Sequence, residues 1–356
     1  MRIAYALFWN VFREDGVTKK IEGQVGAWRR AGHDVRIFCL AAAPPDADAQ
    51  PVLDVELHLF GSLRDRLTRS GAAWARALLA WEPDVVYARH DTMPPAFERV
   101  LVRRPSVLEV NTVGSEARLY SLQSHLYHVA VGSRFLRRAR GLVYISRATA
   151  AERARRDGGK HVAVIANGGD PDRFPLLPAP ANDRPHLVFL GTPDQRWQGV
   201  DKVLALARAN PDFHFDLVGP APGDLPDRPE NVLAHGYLAA ATYRPLLERA
   251  DAALGTLALH RKSRDDASPL KVREYLLHGI PTVIGYDDTD FGGGDHWYLL
   301  RLPNTEDNVS NGRDAIRAFV ERVRGGRAPR DEVVARIGVT AKEEQRLRLL
   351  KEVAGA

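Results

Sequence analysis

The segment 265–281, DDASPLKVREYLLHGIP, gathers more chemistry than any other stretch of the chain. Ser268 is a residue type that caps helices, and Pro269 fits a first helical turn. Gly279 suits the helix end, and Pro281 prevents continuation. A helix start presents N–H groups that no helical carbonyl satisfies, and these attract anions. Lys271 and Glu274 stand three apart and share a face. The N–H groups near Ser268–Leu270, with the Lys271 ammonium, suit a diphosphate. A carboxylate such as Glu274 accepts two hydroxyl hydrogen bonds from a sugar. The same residues equally describe an ordinary capped helix with an internal Lys–Glu pair.

Other chemistries lack their residues. After neither first strand does G-x-G-x-x-G follow, so a dinucleotide oxidoreductase is disfavoured. Gly159-Lys160 has no Ser or Thr after it, which excludes a P-loop. Neither G-x-S-x-G nor H-E-x-x-H occurs. One cysteine, Cys39, excludes a disulfide framework and a cysteine-based zinc site, and points to a reducing compartment. No apolar run reaches the roughly 18 residues of a membrane span, and the N-terminus reads as a buried strand, so a cytoplasmic protein is expected. The net charge of +5 is uneven: the first 175 residues carry +7 and the rest −2. Between Arg134 and Arg156 stand eight arginines, a pattern for an anionic partner or simply a solvated helix face. No zinc-finger, RNP-like or helix-turn-helix pattern supports a nucleic-acid partner.

The elements that must position these residues alternate. Apolar runs at Ile3–Phe8, Val35–Leu40, Asp84–Tyr87, Ser106–Val110, Leu142–Ile145 and Val162–Ile165 read as strands, with Val52–Phe60 as an edge. Helical spacing covers Ile21–Ala31, closed by Gly32, then Arg64–Trp81, and a helix capped by Ser146 that reaches Arg156. Proline and glycine crowd 166–185, and the alternation then restarts at His186. An α/β fold of two doubly wound, Rossmann-like domains follows, with ligands expected in the cleft between them. The boundaries read as 1–168 for the first domain, 169–185 for a linker and 186–335 for the second. Residues 336–356 read as a C-terminal helix packing back toward the first domain.

The segment also resembles the donor signature of retaining glycosyltransferases of family 4, which have the GT-B fold. Their pattern is an acidic residue, seven residues, then Glu, followed by Gly-x-Pro. Here it is Asp266, Glu274 and Gly279-Ile280-Pro281. Other stretches resemble the family in the same order: Asp15-Gly16-Val17, Ala31-Gly32-His33-Asp34-Val35, Val164 to Phe174, Phe189-Leu190-Gly191, Phe215 to Gly219, and Asn231 through Gly236-Tyr237. The resemblance implies a first domain that binds the acceptor and a second that binds a UDP-, GDP- or ADP-linked sugar. It implies retention of anomeric configuration without a metal or other cofactor. The donor is then bound by Gly16, Gly191, Arg196, Gly236, Tyr237, Ser268, Pro269, Leu270, Lys271 and Glu274. Asp266 lies near the donor sugar, and Glu274 on the ribose.

The sequence departs from the family in places. Asp266 replaces the usual Glu. Thr192 and Gln198 stand where Arg and Lys usually meet the diphosphate, so Arg196 is the candidate to restore charge. Asn111 stands where relatives carry a histidine, and joins Asp266 and Glu116 as a catalytic candidate. Arg89 and His90 are candidates on the acceptor side. The acceptor is a glycan, lipid-linked glycan or small molecule. Arg64, Arg66, Arg69, Trp74, Arg76 and Trp81, with the arginine cluster, form a surface for an anionic membrane at its inner face. Two alternatives stay open: a non-catalytic GT-B protein that binds a nucleotide sugar or partner, and a GT-B nucleotide-sugar epimerase.

Overall fold

The computed structural model describes residues 1–46, 48–111, 122–292 and 294–355. The chain divides into two units, Met1–Ala166 with Val339–Ala356, and Asn167–Gly338. The first contains a seven-stranded parallel sheet. Its strands are β1 (Arg2–Phe8), β2 (Asp34–Ala42), β3 (Glu56–Phe60), β4 (Val85–His90), β5 (Ser106–Val110), β6 (Gly141–Tyr144) and β7 (His161–Val164). They lie in the order β3-β2-β1-β4-β5-β6-β7. Alternate side chains enter opposite faces, because a strand has a period of two. Ile3, Tyr5 and Leu7 join Trp28 in one apolar cluster, while Ala4 and Ala6 join Trp74 and Phe97 in another. Burying each large side chain contributes about 1.5–3 kcal/mol. Gly32 closes the helix Gly16–Arg30 at φ +81°, a left-handed conformation that a Cβ would strain.

Two expectations for this unit change. The stretch Arg64–Trp81 is two helices, Leu63–Leu67 and Arg69–Ala80, broken at Thr68. Trp74 and Trp81 are buried in the core, so neither faces a membrane. The helix turns its apolar side to the sheet, and the Trp74 indole donates to the Phe38 carbonyl at 3.0 Å.

The second unit has a six-stranded parallel sheet of β8 (His186–Leu190), β9 (His214–Val218), β10 (Val232–Gly236), β11 (Ala252–Leu254), β13 (Thr282–Ile284) and β15 (Leu299–Arg301). The order is β10-β9-β8-β11-β13-β15. A two-stranded ladder of β12 (Asp266–Ala267) and β14 (Asp287–Asp288) stands apart from it. Residues 169–185, read above as a linker, are built into this unit. Gly169 bridges Gly338, the Leu177 amide donates to the His278 carbonyl at 3.1 Å, and Phe174 and Leu177 enter the core. Prolines keep the segment irregular without freeing it from the surface. The C-terminal helix, Val339–Ala354, places Leu347, Leu350 and Val353 in the Trp28 cluster of the first unit.

Candidate functional site

In an open parallel sheet, ligands gather at the carboxyl ends of the strands where the winding direction reverses. In the second unit that point lies between β8 and β11. β8 runs out at Leu190 and is followed by Gly191 and Thr192. Gly219, just beyond β9, passes so close that a Cβ there would stand 2.2 Å from the Gly191 carbonyl oxygen. Its φ of +116° also demands glycine. Gly236 ends β10, and Tyr237 is half exposed beside it.

The helix Leu270–Leu277 is tied to this edge. The Leu190 amide donates to the Tyr275 hydroxyl at 2.6 Å. The Lys271 ammonium donates to the Leu190 carbonyl at 2.9 Å and to Gln198 Oε1 at 3.1 Å, and it lies 4.0 Å from the centre of the Phe189 ring. Both acceptors are neutral. Burial pulls this ammonium down to about 7. A cation so placed, at a helix start whose dipole is also positive, meets no carboxylate among the described residues. One turn on, Glu274 is buried and accepts from the Tyr243 hydroxyl at 2.7 Å.

Ser268 does not cap this helix. The N-cap is Pro269, and no side chain caps the first turn. The Ser268 hydroxyl instead accepts from the Asn167 amide at 2.9 Å, and Asn167 Nδ2 donates to the Ser268 carbonyl at 2.6 Å. The amides of Leu270 and Lys271 thus have no side-chain acceptor holding them. Asp266, half buried, pairs with Asp287 in the two-stranded ladder. Arg196 is exposed in the turn Arg196–Gln198.

A residue the sequence reading passed over holds this arrangement together. Arg273 is 1% exposed and donates to the Asn167 carbonyl, to both oxygens of Asp288 and to Asp290, at 2.6–2.9 Å. One guanidinium thus joins the helix, the start of the unit and the strand β14. Mid-helix, it reads in sequence as a solvated cation, and only the acidic run after Tyr286 hints otherwise.

The first unit places its candidates differently. Gly16 opens the helix Gly16–Arg30, but the Asp15 carboxylate caps it, accepting from the Val17 and Thr18 amides at 2.9 Å each. A phosphate at this helix start would need those amides, and a carboxylate already holds them. Asn111, at the end of β5, donates to Glu109 Oε1 at 3.0 Å. Glu109 is fully buried and was not anticipated. It meets Lys20 at 2.5 Å, the Tyr87 hydroxyl at 2.7 Å and Arg346 at 3.4 Å, while Arg346 also meets Glu343 at 2.5 Å. Burial alone raises the Glu109 carboxyl, but Lys20 and Arg346 together hold it well below its ordinary range. Burial also brings Lys20 down to about 8 against the pull of Glu109.

Arg89 and His90 are neighbours on β4 and point to opposite faces. The Arg89 guanidinium lies 5.2 Å from the Trp9 ring centre. His90 is 6% exposed, faces the Gly132 carbonyl at 3.3 Å and packs against His128. Burial, helped by His128, lowers its imidazole to about 3, so it is neutral and enclosed rather than offered to an acceptor. Glu116 lies outside the described residues.

Residues 15–173 match the sequence model of Glycosyltransferase Family 4. No curated protein sequence matches the chain. Among solved structures, the sucrose-phosphate synthase of Thermosynechococcus elongatus superposes with a TM-score of 0.75 at 16% identity, covering 99% of both chains. HepE of Anabaena, in complex with UDP-glucose, gives 0.67 at 16% identity, covering 98% of this chain and 99% of its own. The catalytic domain of starch synthase IV from Arabidopsis thaliana, bound to ADP and acarbose, gives 0.64 at 12%, covering 100% and 99%. At such identities the likeness is one of fold. The two parallel sheets have the architecture of GT-B glycosyltransferases, and the match to Glycosyltransferase Family 4 covers residues 15–173.

Proposed function

We propose that this protein is a retaining, metal-independent glycosyltransferase. It moves a sugar from a nucleoside-diphosphate sugar to a hydroxyl acceptor. The reading rests above all on Lys271, an ammonium held by two neutral acceptors at the carboxyl end of β8, beside a helix start that no side chain caps. Breaking the sugar–phosphate bond develops negative charge on the leaving diphosphate. Lys271 and the Leu270 and Lys271 amides stabilise that charge, and a preorganised, partly buried site costs little to reorganise. Glu274, oriented by Tyr243, accepts from the ribose hydroxyls, and Asp266 orients the donor sugar. The leaving phosphate takes the acceptor proton, so no protein nucleophile is assigned. Neighbours of the same fold that hold UDP-glucose or ADP support the choice of donor class.

The acceptor is assigned to the first unit, with Asn111 as its hydrogen-bonding residue. A lipid-linked acceptor suits the surface there. Leu122, Leu126 and Val129 are exposed at helical spacing, and the exposed Arg134, Arg137 and Arg138 follow. An apolar stripe beside arginines lies in an anionic lipid surface. No helix among the described residues is long and apolar enough to cross a membrane.

Calorimetry with UDP, GDP and ADP and their sugars tests the donor reading. One of these binds, and Glu274→Ala abolishes most turnover while the chain stays folded. Absence of binding by all of them overturns the proposal. Conversion of the sugar nucleotide into its epimer without acceptor also overturns it. Sedimentation with phosphatidylglycerol vesicles tests the membrane surface: wild type binds at low salt, and Leu126→Asp with Arg137→Glu does not. Failure of the wild type to sediment overturns that part alone.

A further inference from the structure

The first sheet reverses its winding between β1 and β4, and a ligand of an open parallel sheet meets the carboxyl ends of those strands. Arg89 stands there, the penultimate residue of β4. Its register partner on β5 is Glu109, and such partners share a face. A guanidinium beside a buried carboxylate ordinarily pairs with it. Here the carboxylate is full. Lys20 and Asn111 meet Glu109 Oε1, while the Tyr87 hydroxyl and Arg346 meet Oε2. A carboxylate offers about four lone-pair sites, and four donors occupy them. Asp15 is engaged as well, accepting from the Trp9 indole at 3.1 Å and from the Val17 and Thr18 amides.

Arg89 is therefore surplus. It is half-buried, its Nε is enclosed without a hydrogen-bond partner, and its guanidinium makes no ion pair among the described residues. Lys20, Arg89 and Arg346 around Glu109 and Glu343 leave at least one positive charge over. A second guanidinium repeats the arrangement on the opposite face of the sheet. Arg66 lies 4.9 Å from the ring centre of Phe8, the last residue of β1, and its Nε is also enclosed without a partner. Phe8 packs on the Trp74 cluster and Trp9 on the Trp28 cluster. Two unpaired cations thus flank one strand end.

We propose that the acceptor carries a phosphate group, which Arg89 binds at the end of β4 while Arg66 strengthens the attracting field. The inference rests on the reading above, in which the first unit holds the acceptor. A guanidinium presents a planar fork of N–H donors that fits phosphate oxygens. A phosphate monoester carries about −1.5 to −2 charges at neutral pH, which two unpaired cations match. Asn111 reaches Glu109 from two residues further along the face that Arg89 shares. An acceptor anchored through its phosphate at Arg89 therefore extends toward Asn111. The phosphate comes from a soluble sugar phosphate or from a lipid headgroup, and the test separates the two.

The full chain, with isotopically labelled tryptophan indoles, is titrated with inorganic phosphate at constant ionic strength and followed by NMR. Trp9 is the reporter because its ring lies against Arg89, and a Trp9→Phe spectrum assigns its signal. The expected result is a saturable shift of that signal. It persists in Lys271→Met, whose lost ammonium belongs to the donor site. In Arg89→Gln it requires at least about tenfold more phosphate, the loss of one charge-assisted contact. No saturable shift in the wild type, or an undiminished one in Arg89→Gln, overturns the proposal. Should Arg89→Gln fail to fold by circular dichroism, Arg89→Lys decides, since it keeps the charge and loses the fork. Weaker binding by that variant supports the site, and unchanged binding refutes it. Glucose 6-phosphate and dihexanoyl phosphatidic acid are the further probes, and the one that moves Trp9 at the lower concentration assigns the source. A chain that binds a nucleoside diphosphate by calorimetry without a Trp9 response to phosphate keeps the transferase reading and overturns this one. The reverse result overturns the transferase reading and supports the anion site.

Discussion

Replacing Lys271 by Met removes the ammonium and keeps a side chain of similar length over the Phe189 ring. Two hydrogen bonds vanish, to the Leu190 carbonyl and to Gln198 Oε1, and both acceptors are neutral. No carboxylate is stranded by the change. Stability therefore does not fall as it does when a buried ion pair is broken. The ligand, in contrast, loses a charge-assisted contact worth about 1.5–3 kcal/mol. At about 1.4 kcal/mol per decade, the Kd of the nucleoside diphosphate rises roughly 10- to 150-fold. The pH dependence gives a second readout. The ammonium loses its proton near 7 in the free protein, and a bound diphosphate holds that proton more tightly. Affinity is then greatest below about 7 and falls as pH rises toward 9, by up to about tenfold per unit. The stability of the free protein moves the other way. Its folded-state value near 7 lies below the ordinary 10.5, so the unfolded chain binds the proton more readily, and stability rises with pH between the two. Lys271→Met flattens both slopes. Calorimetry at pH 7, 8 and 9, with urea unfolding at the same values, measures them. A variant that binds within about twofold of the wild type, with the pH slope intact, refutes the role of Lys271.

Two further outcomes follow from buried charge in the first unit. Arg346→Met leaves Glu109 and Glu343 with Lys20 as the ion-paired cation and Arg89 farther off, in an enclosed site. It lowers the urea-unfolding free energy by about 3–5 kcal/mol, and adding Glu343→Gln recovers part of this. A loss under about 1 kcal/mol contradicts the burial argument. His90 takes up a proton near 3 when folded and near 6.5 when unfolded, so its contribution to stability is full above about 6.5. That contribution disappears as pH falls toward 3, at no more than about 1.4 kcal/mol per pH unit. His90→Gln gives a shallower acid-unfolding profile, and an unchanged profile sinks this assignment.

These effects share a design. Cations are set into helices and turned inward, and what differs is their company. Arg273 and Arg346 have carboxylates around them and hold segments in place. Lys271 has only neutral acceptors, and is the one whose partner a ligand would supply.

Much of the fold is legible from short-range pattern. Apolar runs such as Ile3–Phe8 and Val35–Leu40 specify strands buried on both faces, and such strands require parallel sheets covered by helices. Gly32 in a left-handed conformation and Ser146, which accepts from the Thr149 amide, end and start helices as their types dictate. The helix Leu270–Leu277 and its stop at Gly279 are equally local. What surrounds that helix is not. Ser268 meets Asn167 across 101 residues, Arg273 meets Asp288 through a ladder two residues long, and Glu109 meets Lys20 across 89. The segment 169–185 has the composition of a linker, yet its Phe174 and Leu177 find a core. Helical and strand periodicity act over three or four residues, whereas these partners are chosen by strand register and by which buried charge must be satisfied. Sequence pattern therefore determined the layers and the helix that carries Lys271 and Glu274. Tertiary packing alone decided that Ser268 leaves its cap and that Lys271 keeps a neutral shell, since both depend on groups far away in the chain.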